Sequence, residues 1–249
     1  MGRVLVPLPD RDFDTTEVAV PWRLLTDAGH TVVFATEHGG VAPATDPLLL
    51  SGVVFKMLGA ARAAKRFYAE LCDDRAYQQP IAWRDIDVAA YDGLVLPGGH
   101  AKGMRQYLGS AELQAKVAAF WGTGKPVGAI CHGVLVLARA TDPDTGRSLL
   151  HDRRTTCLPR SLELSGYLVT AWRRGRYYRT YPKYVQREVR KALASRKQFT
   201  RGGPTLLVRG TARWNLTAFV VEDGNYVSAR WPGDAYLFAR RFEALLAGL

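Results

Sequence analysis

The twelve residues Val127-Gly128-Ala129-Ile130-Cys131-His132-Gly133-Val134-Leu135-Val136-Leu137-Ala138 constrain the fold more than any other stretch. A strand-length apolar run stops at Cys131 and turns into a helical pattern within two residues, and Gly128, Ala129 and Gly133 keep the turn free of bulk. A strand that turns so tightly into a helix lifts one side chain above a sheet, facing the unpaired N–H groups of the new helix. A thiol held there is expected to be acidic, because the helix N-terminus and a neighbouring imidazolium, here His132, both favour the thiolate. The competing account is a buried cysteine packed as a small hydrophobe. The flanking glycines and His132 favour the nucleophile.

The rest of the chain supplies the sheet that such a turn needs. Arg3-Val4-Leu5-Val6-Pro7-Leu8 suits a strand buried on both faces. Thr15 or Thr16 is placed to cap a helix over 17–28 that Gly29 ends, and Thr31-Val32-Val33-Phe34-Ala35-Thr36 is the next strand. Strand, helix and strand in this order form a right-handed crossover. Glu17 falls in the first turn of that helix, where it either complements the helix dipole or leans into the crevice of Cys131. From 39 to 82 the pattern loosens, with a basic amphipathic helix near 60–71 that covers an edge or joins a dimer. Strand character returns at Tyr91 to Leu96 and ends in Pro97-Gly98-Gly99-His100, a turn whose amides could meet a bound group and which is also an ordinary turn. A helix over 110–122 leads to the cysteine strand. Thr155 to Leu158 reads as a short strand, 184–194 as a helix, 216–221 and 226–229 as strands around Asp223-Gly224-Asn225, and 234–246 as the last helix.

At 249 residues the chain can bury a full core, and its 47% hydrophobic and 23% charged residues are ordinary globular usage. No apolar run reaches the ~20 residues of a membrane helix, and the N-terminus enters a strand without a signal-peptide core, so a cytoplasmic protein is expected, with no membrane partner. Cys72, Cys131 and Cys157 are too few and scattered for a disulfide framework. The net charge is +11, and +10 of it sits between Arg173 and Arg201, where eleven Lys or Arg face one acid, Glu188. This segment, with its interleaved tyrosines, is a nucleic-acid surface, a lid that attracts an anionic substrate, or a solvated face; nucleic acid is the least favoured. The histidines His30, His38, His100, His132 and His151 show no metal-ligand spacing, so neither metal nor cofactor is expected.

In order and wording, Glu17-Val18-Ala19-Val20-Pro21-Trp22, Ala28-Gly29-His30-Thr31-Val32, Tyr91 to His100, Ala129-Ile130-Cys131-His132-Gly133 and Asp223 to Pro232 together resemble the ThiJ/PfpI superfamily, which shares the class I glutamine-amidotransferase-like fold. The resemblance spans most of the chain except two insertions, 39–82 and 160–205. It implies an α/β, flavodoxin-like three-layer sandwich with a mostly parallel sheet, one domain over 1–249, Cys131 at the elbow, and a homodimer. By position, Glu17 matches the acid that hydrogen-bonds the cysteine, His132 the histidine after it, and the amides of Gly99 and His132 the oxyanion hole. Asp152 and Glu163 are candidates for a third acid.

A glutamine amidotransferase needs a second histidine far downstream, and none follows His151. The glyoxalase III, heat-shock chaperone and PfpI peptidase branches place the histidine directly after the cysteine. The leading expectation is therefore a cofactor-independent thiol hydrolase or lyase acting on a small electrophile by glyoxalase III-like, amidase or hydratase chemistry. The rivals are a non-catalytic stress chaperone or redox sensor, in which Cys131 is oxidised, and an intracellular peptidase.

Overall fold

Runs of β-branched and aliphatic residues a few positions long, separated by helical patterns, leave the strands little choice but a parallel sheet covered on both faces. In the computed structural model, which describes residues 1–204, 211 and 216–248, this is the arrangement. The strands are β1 Arg3–Pro7, β2 Arg11–Phe13, β3 Thr31–Thr36, β4 Ala44–Thr45, β5 Ile81–Ala82, β6 Gly93–Leu96, β7 Val127–Ile130, β8 Val220–Asp223 and β9 Tyr226–Ala229. Seven of them form one sheet in the order β5-β3-β1-β6-β7-β9-β8, and β2 and β4 form a separate two-stranded ladder. Every neighbour in the large sheet is parallel except β8, which returns antiparallel to β9 through a turn at Gly224 and Asn225. The chain is an α/β protein.

The crossover from β1 to β3 runs through helix Thr15–Asp27 and sets Arg3 opposite Thr31 and Pro7 opposite Ala35. Asp14, rather than Thr15 or Thr16, caps this helix: its carboxylate accepts from Thr16 N at 2.7 Å and Glu17 N at 3.1 Å. The Thr15 hydroxyl is instead 2.7 Å from that of Thr45, which ties the helix to β4. Helix Thr15–Asp27 packs against helices Arg62–Cys72 and Ala235–Ala247, and the last of these lies on β7 and β9. In a second helical group, Val134–Arg139 packs against Ala111–Gly122 and Val185–Ala192.

Other expectations change as well, and the strand expected over 216–221 is found at Val220–Asp223. The helix in the first insertion, expected to cover an edge or join a dimer, buries Ala64 and Leu71 against helix Thr15–Asp27. Thr155 to Leu158 is not a strand; Thr155 makes one isolated bridge to Phe199 within a loop. The basic insertion opens with a helix, Arg160–Arg174, whose apolar positions the arginine count had hidden. Its last residue, Thr205, lies outside the described residues.

The order reverses at β1 and β6: after β1 the chain moves to one side through β3 and β5, and after β6 to the other through β7 and β9. The loops at the carboxyl ends of β1, β6 and β7 therefore meet at a switch point, the place where an open α/β sheet binds ligands. Among the described residues no helix is long and apolar enough to cross a membrane.

Candidate active site

After β7 the chain makes one turn of 3₁₀ helix, Cys131–Gly133, before helix Val134–Arg139. Cys131 sits at φ 58°, a left-handed conformation that a β-carbon disfavours. What holds it there is the crowding of the turn: a Cβ on Gly133 would lie 2.1 Å from the Leu96 carbonyl oxygen, so β6 and the elbow touch backbone to backbone. Cys131, His132 and Glu17 are all within 1% of complete burial.

Glu17 arrives from the other side of the switch point. Its Oε2 accepts from Gly98 N at 2.8 Å, and a Cβ on Gly98 would press within 2.8 Å of that oxygen, so the glycine lets the amide reach the acid. Its Oε1 is buried with no hydrogen bond of ordinary geometry, and its hydrogen-bonding neighbour is the Cys131 thiol. Burial, with the charge of Asp14 behind it, holds the Glu17 carboxyl well above the usual carboxylate range. Burial therefore favours the protonated form of the Glu17 carboxyl.

The thiol behaves differently from the expectation. Burial pushes Cys131 up, the neighbouring Glu17 carboxyl and the Asp14 charge act in the same direction, and a hydrogen bond from the His132 backbone N–H opposes them. No imidazolium is present to help, since burial, reinforced by His100 and Arg139, pushes His132 well below its ordinary value. In the closed site both partners are neutral, with the Cys131 Sγ 3.6 Å from His132 Nδ1.

The far side of His132 is held by a residue that sequence reasoning missed. His132 Nε2 lies 3.3 Å from the Thr180 hydroxyl, which donates its own proton to the His100 carbonyl at 2.6 Å. That hydroxyl has only its lone pairs left for His132, so Nε2 carries the imidazole proton and the Nδ1 lone pair faces the thiol. Asp152 is exposed and paired with His151, and Glu163 accepts from Val185 N at 3.1 Å. The structure brings neither to His132. Gly99 N lies in the turn behind β6, where a Cβ would meet the Asp12 carbonyl at 2.8 Å.

The basic insertion closes the site with its uncharged residues. His100 stands edge-on to His132, centroids 5.1 Å apart, and to Tyr178 at 4.8 Å, while Tyr178 meets Tyr177 at 4.8 Å. Tyr177 donates to Asp46 and Arg174 Nε donates to the Val53 carbonyl at 2.6 Å, so the two insertions join above the cysteine. Arg105 grips the Thr180 carbonyl through Nε at 2.8 Å and a second nitrogen at 2.6 Å. The interleaved tyrosines were the only signal of this lid, and the arginines around them drew attention instead.

The ThiJ/PfpI family-like profile matches residues 8–200, more than three quarters of the chain. The chain belongs to the ThiJ/PfpI family. A deglycase of Pyrococcus abyssi is 26% identical over 245 residues, covering 98% of this chain and 99% of its own. An uncharacterised protein of Schizosaccharomyces pombe is also 26% identical, over 98% of this chain and 84% of its own. Among solved structures, the glyoxalase III of Candida albicans superposes with a TM-score of 0.67 at 21% identity, covering 98% of this chain and 96% of its own. This ThiJ/PfpI chain therefore shares its fold with enzymes of hydrolase and lyase type.

Proposed function

We propose that this ThiJ/PfpI protein is a cofactor-independent cysteine enzyme that converts a small 2-oxoaldehyde, such as methylglyoxal, into a 2-hydroxy acid. The observation that carries it is the pairing of two neutral groups around one thiol: a His132 lone pair on one side and a protonated Glu17 on the other. Environments that push an acid up and a base down assign their roles. His132 Nδ1 accepts the thiol proton as Sγ attacks the aldehyde carbon, and the amides of Gly99 and His132 hold the hemithioacetal oxygen. A proton then leaves the former aldehyde carbon and another is delivered to the neighbouring ketone carbon, with Glu17 and His132 as carriers. The aldehyde carbon is oxidised as the ketone is reduced, so no external oxidant is needed. Water releases the resulting thioester and restores the thiol.

Closure favours this reading over a peptidase. A polypeptide needs an open groove, whereas Cys131 lies under His100, Tyr178 and Thr180. A neutral substrate fits better than an anionic one, because the insertion's Arg174 and Arg179, and Arg105 and Arg139 that hold it from outside, are engaged at carbonyls and rings, while the carboxyls of Glu17 and Asp14 act on the thiol. The deglycase and glyoxalase III named above support the same class.

The test is methylglyoxal consumption and lactate formation by wild type and Cys131→Ser, with alkylation of Cys131 followed on the same samples. Turnover should fall by at least about 10³-fold in the variant, as for other nucleophile losses. A thiol that alkylates without any methylglyoxal turnover rejects the substrate and leaves the nucleophile. An inert thiol rejects both.

A further inference from the structure

The same fold gathers a second set of donors. His100 follows β6 and Cys131-His132 follows β7, so two segments with no ligand spacing in the sequence are brought together by two adjacent parallel strands. One ring nitrogen of His100, one of His132 and the Cys131 sulfur all lie within 4.8 Å of one another. A tetrahedral zinc ion, bonded at about 2.3 Å to sulfur and 2.0–2.1 Å to nitrogen, sets those two donors about 3.6 Å apart. The Cys131 Sγ and His132 Nδ1 are 3.6 Å apart. One sulfur and two imidazoles suit zinc rather than magnesium or calcium, which demand oxygen. Thr180 already turns the His132 proton onto Nε2, the outer-shell hydrogen bond that frees Nδ1 to ligate.

We propose that His100, Cys131 and His132 bind one zinc ion, and that its occupation silences the thiol reversibly. The S–H proton leaves to solvent as the Zn–S bond forms, no electron is transferred, and three protein ligands leave the fourth vertex to water. The consequence for catalysis rests on Cys131 being the reactive thiol, whereas the binding itself does not. His100 is the residue that separates the two, since it belongs to the zinc site and has no part in the proton transfers.

The experiment is titration of metal-free protein with Zn²⁺ against a competing chelator, and with Co²⁺ to read the sulfur-to-cobalt charge-transfer band. Iodoacetamide alkylation of Cys131 is followed with and without metal. Wild type should take one equivalent, show the thiolate band, and lose alkylation until EDTA restores it. His100→Ala and His100→Asn, each referred to its own metal-free alkylation rate because His100 also covers the thiol, should bind zinc more than about tenfold more weakly than wild type, beyond the low end for loss of an outer-shell partner. Cys131→Ala should lose the site and the band. Equal zinc affinity in Cys131→Ala, or unchanged affinity in both folded His100 variants, overturns the proposal. Normal alkylation with no stoichiometric zinc also rejects it and leaves the nucleophile intact, while an inert metal-free thiol rejects the nucleophile alone.

Discussion

Glu17 and Asp234 are both fully buried carboxyl groups, and the chain handles them in opposite ways. Asp234 is answered on every side. Arg230 Nε donates to Oδ2 at 2.9 Å and Arg230 NH2 to Oδ1 at 3.0 Å, and the amides of Arg230 and Phe219 complete the set at 3.1 and 3.0 Å. The guanidinium spends its remaining donors on the carbonyls of Gly203 and Thr217 and lies over the Phe219 ring. Burial still raises Asp234, but Arg230 pulls against it. Among the described residues Glu17 has one N–H from Gly98, no cation, and its second oxygen turned to a thiol. A charge matched by a charge fixes the scaffold, whereas a charge avoided by keeping a proton leaves a proton to move.

The comparison breaks first at Asp234. Asp234→Ala strands the buried Arg230 and should cost about 3–5 kcal/mol in urea unfolding, with much of that recovered in Arg230→Met/Asp234→Ala. A loss below about 1 kcal/mol in the single variant would mean that water reaches the guanidinium. Glu17→Gln is the mirror case. The amide resembles the acid that is already protonated, so stability should change by less than about 1 kcal/mol, while methylglyoxal turnover falls about 10²-fold, the scale of a lost general acid. A large stability change with intact turnover would make Glu17 a scaffold residue like Asp234.

The elbow was legible in the sequence because it depends on local chemistry, a strand that ends in Cys131-His132-Gly133, whereas local reading left Glu17 between a helix-dipole acid and a site residue, and only the family resemblance set it beside the cysteine. The sheet was legible for the same reason as the elbow, since Val4 to Val6 and Val127 to Ile130 are apolar on both faces. What escaped depends on contacts distant in the chain. Thr180 reaches His132 from 48 residues away, and nothing local marks a threonine in an arginine run as its partner. The acidity of the thiol was misread because local sequence shows an adjacent histidine but not the burial that keeps it uncharged.

Thr180 sharpens the comparison from the base's side. Thr180→Val keeps the volume and deletes the hydroxyl that holds His132 Nε2–H, so kcat should fall about tenfold with KM nearly unchanged, and the orphaned His100 carbonyl should cost about 1–3 kcal/mol of stability. Thr180→Ser should restore it. Equal loss in the serine variant would assign the effect to packing of the lid.

Glu163 falls between the two carboxyls, and its effect shows as a slope with pH rather than as a step. It is buried on helix Arg160–Arg174, accepts from Val185 N, feels Arg179, and among the described residues has no ion pair at hydrogen-bond distance. Burial raises it from 4.5 to about 7. Below pH 4.5 the folded and unfolded chains both hold the proton and the contribution of this group to stability is complete. Between 4.5 and about 7 the unfolded chain has lost the proton while the folded one keeps it, so stability drains away as pH rises through that window. Glu163→Gln keeps the acceptor and removes the titration. The stability of wild type should therefore fall relative to that of the variant by up to about 1.4 kcal/mol per pH unit across the window, in urea unfolding at pH 4.5, 6 and 7.5. Parallel curves would show that Glu163 is ionised in the folded chain as Asp beside a cation would be, and that the helices over Thr180 are held by a charge rather than by a proton.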